Sequence, residues 1–134
     1  MDRAVTALHT ADRALNSLES LLALPPTTDI ERDAAIQRFE YTFEAVWKAA
    51  RAVLLSREGV AASSPKGVVR ASHRAGFLGN TEAEAALVIV DDRNMTSHAY
   101  EEDVAREIME RLPDHAAVLR GWVSHMRANP PSSS

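Results

Sequence analysis

The sequence contains no cysteine. That excludes a disulfide framework, a thiolate metal site and a cysteine nucleophile, and it suits a reducing compartment. No apolar run approaches the roughly 18 residues needed to span a bilayer. The opening stretch MDRAVTALHT has no signal-peptide layout. A soluble, cytoplasmic chain without membrane association is therefore expected. There is no glycine-rich phosphate loop, which argues against an in-built nucleotidyltransferase or NTPase site. No internal repeat is visible. Nor is there a surplus of positive charge: a net charge of −4 does not suit a protein that coats nucleic acid indiscriminately.

What remains is ordinary for a globular protein, with 134 residues, 46% apolar and 25% charged. One domain over residues 1–128 is expected, long enough to bury a core without staples. Residues 129–134, the end of ANPPSSS, read as a disordered tail. The charges are unevenly spread. Lys48, Arg51, Arg57, Lys66, Arg70 and Arg74 face only Glu58 in their stretch of chain, whereas Asp91 to Arg111 is predominantly acidic. Solvated helix faces account for this best on charge alone, and a basic surface for a phosphate-rich ligand is the sharper alternative.

The apolar periodicity is helical throughout. Leu8, Leu15, Leu18 and Leu22 stripe a first helix from about Asp2 to Leu24, stopped by Pro25-Pro26. Thr27, Thr28 and Asp29 offer caps for a long second helix from about Ile30 to Glu58, ended by Gly59. Its stripe of Ile36, Phe39, Phe43, Val46, Ala50, Val53 and Leu54 is the strongest pattern in the chain. A short third helix follows Ser63-Ser64-Pro65 and ends near Gly76. Thr81, with Glu84 three residues on, predicts a capping box for the fourth. The fifth is expected from about Glu101 to Arg127, on a stripe that includes His115 and Trp122, with Pro113 kinking or dividing it. The fold class is all-α, an antiparallel up-and-down bundle of four to five helices.

The apolar run LVIV leads directly into DDRNMTSHAY, residues 91–100. Arg93 carries a planar fork of donors suited to phosphate, and His98 can move a proton near neutral pH. Together they suffice for RNA cleavage without a metal. His98 would take the proton from a 2′-OH, and Arg93 would stabilise the charge developing around phosphorus. Asn94 could orient either group. A five-residue offset separates two side chains by roughly 140° on an ideal helix, so the pair converges only if the helix ends between them. Asn94, Thr96 and Ser97 are poor helix-interior residues and make that ending plausible. An isolated Arg–His pair is nevertheless more often incidental, the histidine merely capping carbonyls.

RNMTSHAY fits R-N-x3-H-x-Y and resembles the R-x4-6-H motif of HEPN domains, all-helical domains associated with nucleotides and RNA. FEYTFEAVWKAARAVL, SPKGVVRASHRAGFL and DDRNMTSHAYEEDVAREIMERLP together resemble the nucleotidyltransferase substrate-binding group of that family, in family order and across residues 3–127. His73 and Arg74 depart from it, standing where a smaller or more apolar residue is expected.

The resemblance implies a HEPN-like bundle with Arg93 and His98 as a ribonuclease pair and Asn94 as polar support. It implies that Tyr100 is the tyrosine adenylylated by a minimal nucleotidyltransferase antitoxin, which silences the RNase. Adding AMP two residues from His98 would put bulk and negative charge where the RNA phosphate should sit. It also implies a homodimer in which two motifs face a shared cleft. No cofactor and no metal are expected. Lys66, Arg70 and Arg74, at i, i+4 and i+8, are candidates for an RNA path, with solvated charge an equal reading.

Among the remaining residues, Phe39 and Phe43 are assigned to the core. Tyr41 and Trp47 fall off the stripe and are assigned to a dimer mate or partner rather than to a base. His9, His115 and His125 show no metal-ligand spacing and are expected at the core edge or surface. Two functions remain open at this point. One is an RNase toxin neutralised at Tyr100. The other is a non-catalytic substrate-binding subunit of a two-component nucleotidyltransferase, which could use the same motif to hold phosphate without cleaving it.

Overall fold

The computed structural model describes residues 2–24 and 26–128. Pro25, half of the expected stop after the first helix, lies outside the described residues, as does the 129–134 tail. Five α-helices make up the described chain: α1 (Arg3–Leu22), α2 (Asp29–Glu58), α3 (Pro65–Arg74), α4 (Asn80–Met95) and α5 (Glu102–Ala128). A single 3₁₀ turn, Thr96–His98, separates α4 from α5. The all-α bundle expected from periodicity is the one observed.

Local chemistry sets the helix ends. Asp2 accepts from the Ala4 N–H at 2.8 Å to start α1. The Thr28 hydroxyl accepts from the Glu31 N–H at 3.1 Å, while the Glu31 carboxylate accepts from the Thr27 and Thr28 hydroxyls at 2.8 and 3.0 Å. These bonds hold the Glu31 carboxyl below its usual range. Gly59 stops α2 at φ 67°, a left-handed conformation that a side chain would strain. Ser64 caps α3 through the Gly67 N–H, with Pro65 at the first helical position.

Two expected features differ. The fourth helix starts earlier than the Thr81–Glu84 pattern suggested. Its cap position is Gly79, whose N–H donates to Glu82 at 3.1 Å. Gly76, at φ 87°, reverses the chain, and Phe77 and Leu78 are then buried at 3% and 2% exposure. Anchoring those two side chains commits the backbone to helix from Asn80, with the cap two residues ahead of Thr81. The fifth helix is not divided at Pro113 and runs on to Ala128. Proline removes one N–H from the ladder, but Ile108, Leu112, Ala116 and Leu119 are buried on either side of it. Burial at roughly 1.5–3 kcal/mol per large apolar side chain outweighs that local loss.

α1 and α2 form a hairpin against which α5 packs, and α3 with α4 close the remaining side through α2 and α5. Phe39, Phe43, Leu54, Ile89, Ile108, Leu119 and Trp122 are fully buried at the centre. Every residue of the α2 stripe read from the sequence lies in this core. Trp47 corrects the assignment to a partner. It is 8% exposed, its Nε1–H donates to Glu44 at 3.2 Å, and the Arg51 guanidinium lies 5.1 Å from its ring centre. Since α2 is packed by α1, α5 and α3, its buried arc is wider than one stripe. Tyr41 is exposed, as its position off the stripe predicts.

Two polar ties fasten this frame. Arg120 of α5 reaches Glu19 at 2.8 Å, Asn16 at 2.8 Å and Asp12, all on α1. The Thr42 hydroxyl bridges the Arg38 and Ala14 carbonyls at 2.8 and 3.2 Å, pinning α2 to α1.

Candidate functional site

α4 ends where the motif needs it to. Asn94, Thr96 and Ser97 take hydrogen bonds away from the helix ladder. The Thr96 hydroxyl donates to the Arg93 carbonyl at 2.6 Å, and the Ser97 hydroxyl donates to the Asn94 carbonyl at 3.1 Å. The chain tightens into the 3₁₀ turn, so Arg93 is on the last α-helical turn and His98 on the turn that follows it. The helix end expected between the two residues is present, after Met95.

Arg93 is half-buried and lies toward α2. Its guanidinium is 3.5 Å from Glu44 and 3.9 Å from Glu40, and Nη1 donates to the Thr96 hydroxyl at 3.3 Å. Both carboxylate separations exceed good hydrogen-bond length, so the charge is neutralised loosely. The same side chain lines an open groove of about 500 Å³ with Gln37, Tyr41, Ala45 and Lys48. Two other arginines mark the contrast: Arg111 and Arg120 each make several short, directed bonds.

His98 is half-exposed, with Glu101 3.9 Å away. Its ring centre is 6.3 Å from that of Tyr100, which at 83% exposure is the most accessible large hydrophobic side chain of the described residues. Asn94 is exposed. Arg93 and His98 make no hydrogen bond to each other among the described residues; Arg93 lies on the last turn of α4 and His98 ends the 3₁₀ turn.

Beneath the turn lies an arrangement that the sequence reading missed. Asp92 is buried and accepts from Arg111 at 2.7 and 2.9 Å, and it pairs with His115 Nε2 at 2.6 Å. His115, expected at the core edge or surface, is buried and stacks on Phe39 with ring centres 5.7 Å apart. Burial alone would raise the Asp92 carboxyl, but the bonds from Arg111 and His115 prevail and hold it below its usual range. A signal was available. Asp92 falls on the buried side of α4 with Ile89, and His115 falls on the α5 stripe between Leu112 and Leu119. Two polar residues on facing apolar stripes imply a buried pair. Glu40 and Glu44 carried no comparable signal, being acidic residues on an otherwise ordinary helix.

The α3 cations do not line the Arg93 groove, and they differ among themselves. Lys66 is paired with Asp91 at 2.8 Å, while Arg70 and Arg74 are exposed. His73 meets the Asn80 side chain at 2.7 Å. Among the described residues no three His, Asp or Glu side chains cluster to hold a metal ion, and no helix is long and apolar enough to cross a membrane.

Residues 6–128 match the family described as nucleotidyltransferase substrate binding protein like. A Thermus thermophilus protein of known crystal structure is similar at 49% identity, over 87% of this chain and 98% of that one, with a TM-score of 0.84. The fold is also that of a Haemophilus influenzae protein whose structure reveals the fold of a substrate binding domain of a nucleotidyltransferase. That similarity is 24% identity over 90% and 98% of the two chains, with a TM-score of 0.76. A tri-AMPylated Shewanella oneidensis HEPN toxin, in complex with an MNT antitoxin, shares the fold at 13% identity, 96% and 99% coverage and a TM-score of 0.77. No curated protein matches.

Proposed function

The chain belongs to the nucleotidyltransferase substrate-binding family, and from that premise we propose that it is a HEPN-type ribonuclease toxin restrained by a minimal nucleotidyltransferase. The observation that carries this reading is the break between α4 and the 3₁₀ turn. It leaves Arg93 loosely held at a groove on the last turn of α4, with His98 and Tyr100 exposed on the chain that follows.

In the proposed reaction His98 accepts the 2′-OH proton, and the 2′-oxygen attacks the adjacent phosphorus. The P–O5′ bond breaks, leaving a 2′,3′-cyclic phosphate and a 5′-OH that takes up a proton. Arg93 stabilises the extra negative charge at phosphorus once phosphate oxygens replace Glu40 and Glu44 as its partners. A homodimer with two facing motifs would supply a second histidine to protonate the leaving oxygen. Asn94, exposed on the same turn, is suited to hydrogen-bond the RNA.

Silencing follows from exposure. Tyr100 Oη attacks the α-phosphorus of ATP, pyrophosphate leaves, and the tyrosine carries AMP beside His98. The AMPylated Shewanella toxin in complex with its antitoxin supports a partner of that kind. A second reading rests on Glu40 and Glu44. With carboxylates on both sides of Arg93, the site also suits a non-catalytic subunit that presents substrate to the nucleotidyltransferase.

Induced expression at matched levels separates the two. The toxin reading predicts growth arrest by wild type, its loss in Arg93→Ala and His98→Ala, and rescue by the co-expressed nucleotidyltransferase that Tyr100→Phe abolishes. A stable complex with the nucleotidyltransferase, and no arrest by any form, selects the substrate-binding subunit.

A further inference from the structure

The α1–α2 face joins Lys48 and Arg51, part of the basic stretch read from the sequence, with Arg3, Arg13 and Arg38, which that stretch does not include. Three surface depressions follow one another along α2. The first, of about 460 Å³, is lined by Arg3, Lys48, Arg51 and Leu55. Lys48 also lines the Arg93 groove, and Tyr41 lines that groove at its other end. Tyr41 in turn lines a polar cleft of about 280 Å³ with Arg13, Arg38 and the hydroxyl residues Thr10 and Ser17.

Of the thirteen arginines of this acidic protein, Arg32, Arg93, Arg106, Arg111, Arg120 and Arg127 have carboxylate partners. Arg3, Arg13, Arg38 and Arg51 have no ion pair among the described residues. Arg51 lies over the Trp47 ring, but nothing in the packing calls for Arg3, Arg13 and Arg38 along one hairpin, and the Thr42 bridge already fixes that hairpin locally. At 1.5 Å per residue, Arg38 and Arg51 are about 20 Å apart along α2, with the Arg93 groove between them.

We propose that this face is the track of a single-stranded polynucleotide. The strand enters at Arg3 and Arg51, crosses the Arg93 groove and leaves through the Arg13–Arg38 cleft. Phosphodiester groups meet the guanidinium forks, which bind phosphate through paired donors. Tyr41, at 60% exposure, offers its ring to a base. An adjoining depression formed by Leu21, Ala34 and Gln37 beside Tyr41 gives that base a partly apolar seat. The track follows α1 and α2 instead of the α3 cations, of which Lys66 is already paired with Asp91. The inference rests on the reading that Arg93 handles a polynucleotide phosphate, but its end sites are testable separately.

The test is fluorescence anisotropy of the full chain, carrying His98→Ala to prevent cleavage, with a labelled single-stranded RNA of about 12 nucleotides. Arg13→Gln/Arg38→Gln and Arg3→Gln/Arg51→Gln should each weaken binding. Each should also flatten the dependence of log K on log salt by about 1.4, or about 0.7 per lost contact. Arg70→Gln/Arg74→Gln should do neither. Arg13 and Arg38 have no ion pair among the described residues, so the melt of Arg13→Gln/Arg38→Gln should match the parent; Arg3→Gln/Arg51→Gln gives up the Arg51–Trp47 contact, and its binding is compared at equal folded fraction.

Unchanged affinity and salt slope in both end variants overturns the track, as does a loss confined to the α3 variant. If only Arg93→Gln abolishes binding, the motif reading survives and the track fails. If the end variants weaken binding while Arg93→Gln does not, the cationic ends are upheld and the Arg93 phosphate site fails. Absence of RNA binding, with loss of the nucleotidyltransferase complex in Arg13→Gln/Arg38→Gln, reassigns the face to a protein partner and overturns the proposal.

Discussion

Asp92 and Arg111 meet through two hydrogen bonds, 2.7 and 2.9 Å long, that tie the last turns of α4 to the middle of α5. Asp92 immediately precedes Arg93, so this fork fixes the backbone from which the motif departs. His115 closes the arrangement from the core side at 2.6 Å. The rigid carboxylate–guanidinium pair lies under the turn, and the loosely held guanidinium of Arg93 lies next to it in sequence.

Asp92→Asn should destabilise the fold by about 2–3 kcal/mol at neutral pH, because a buried, charge-assisted set of bonds loses its charge. The folded-state pKa of Asp92 lies below its unfolded value. Its contribution is therefore complete above about pH 3.9 and is lost as pH falls through the depressed folded value. The gap between wild type and variant, followed by chemical denaturation, should be widest near pH 7 and narrow below about pH 4.

Arg120→Ala should cost about 1–3 kcal/mol by removing the tie from α5 to Asp12, Asn16 and Glu19. Since these bonds lie on the α1–α5 side, RNA cleavage by the folded fraction should be unchanged. Melting curves and activity per folded molecule check the two halves of this expectation.

Thr96→Val removes the hydroxyl that bonds the Arg93 carbonyl and receives Arg93 Nη1, while keeping the side-chain volume. A stability loss of about 1 kcal/mol is expected. Activity should fall further than stability explains, because the turn placing His98 relative to Arg93 loses its stop. Proportionate losses would assign Thr96 to folding alone.

Glu40→Gln/Glu44→Gln should free Arg93 from its two carboxylates and tighten RNA binding, with the effect fading at high salt. Weaker binding instead would mean that the carboxylates orient Arg93 for phosphate.

The bundle was legible because its helices carry uninterrupted apolar stripes bounded by Thr28, Gly59 and Ser64. Cap positions were legible only where the chain entered the helix locally. At α4, the buried Phe77 and Leu78 set the entry, so Gly79 overrode Thr81. Pro113 does not divide α5 because burial of its neighbours, a tertiary effect, holds the helix through it. At the site, the break after Met95 followed from the polar run that the sequence displays. That Arg93 would face Glu40 and Glu44 did not, since it depends on how α4 lies against α2. Trp47 was misplaced for the same reason: a one-stripe reading underestimates a helix packed on several sides.

The most direct test of the ribonuclease reading is incubation of purified wild type, His98→Ala and Arg93→Ala with RNA, followed by mapping of the new ends. Wild type is predicted to leave 2′,3′-cyclic phosphate and 5′-hydroxyl ends, with each variant slower by at least about 10²-fold. Intact RNA with folded wild type, or cleavage that persists equally in His98→Ala, would contradict it.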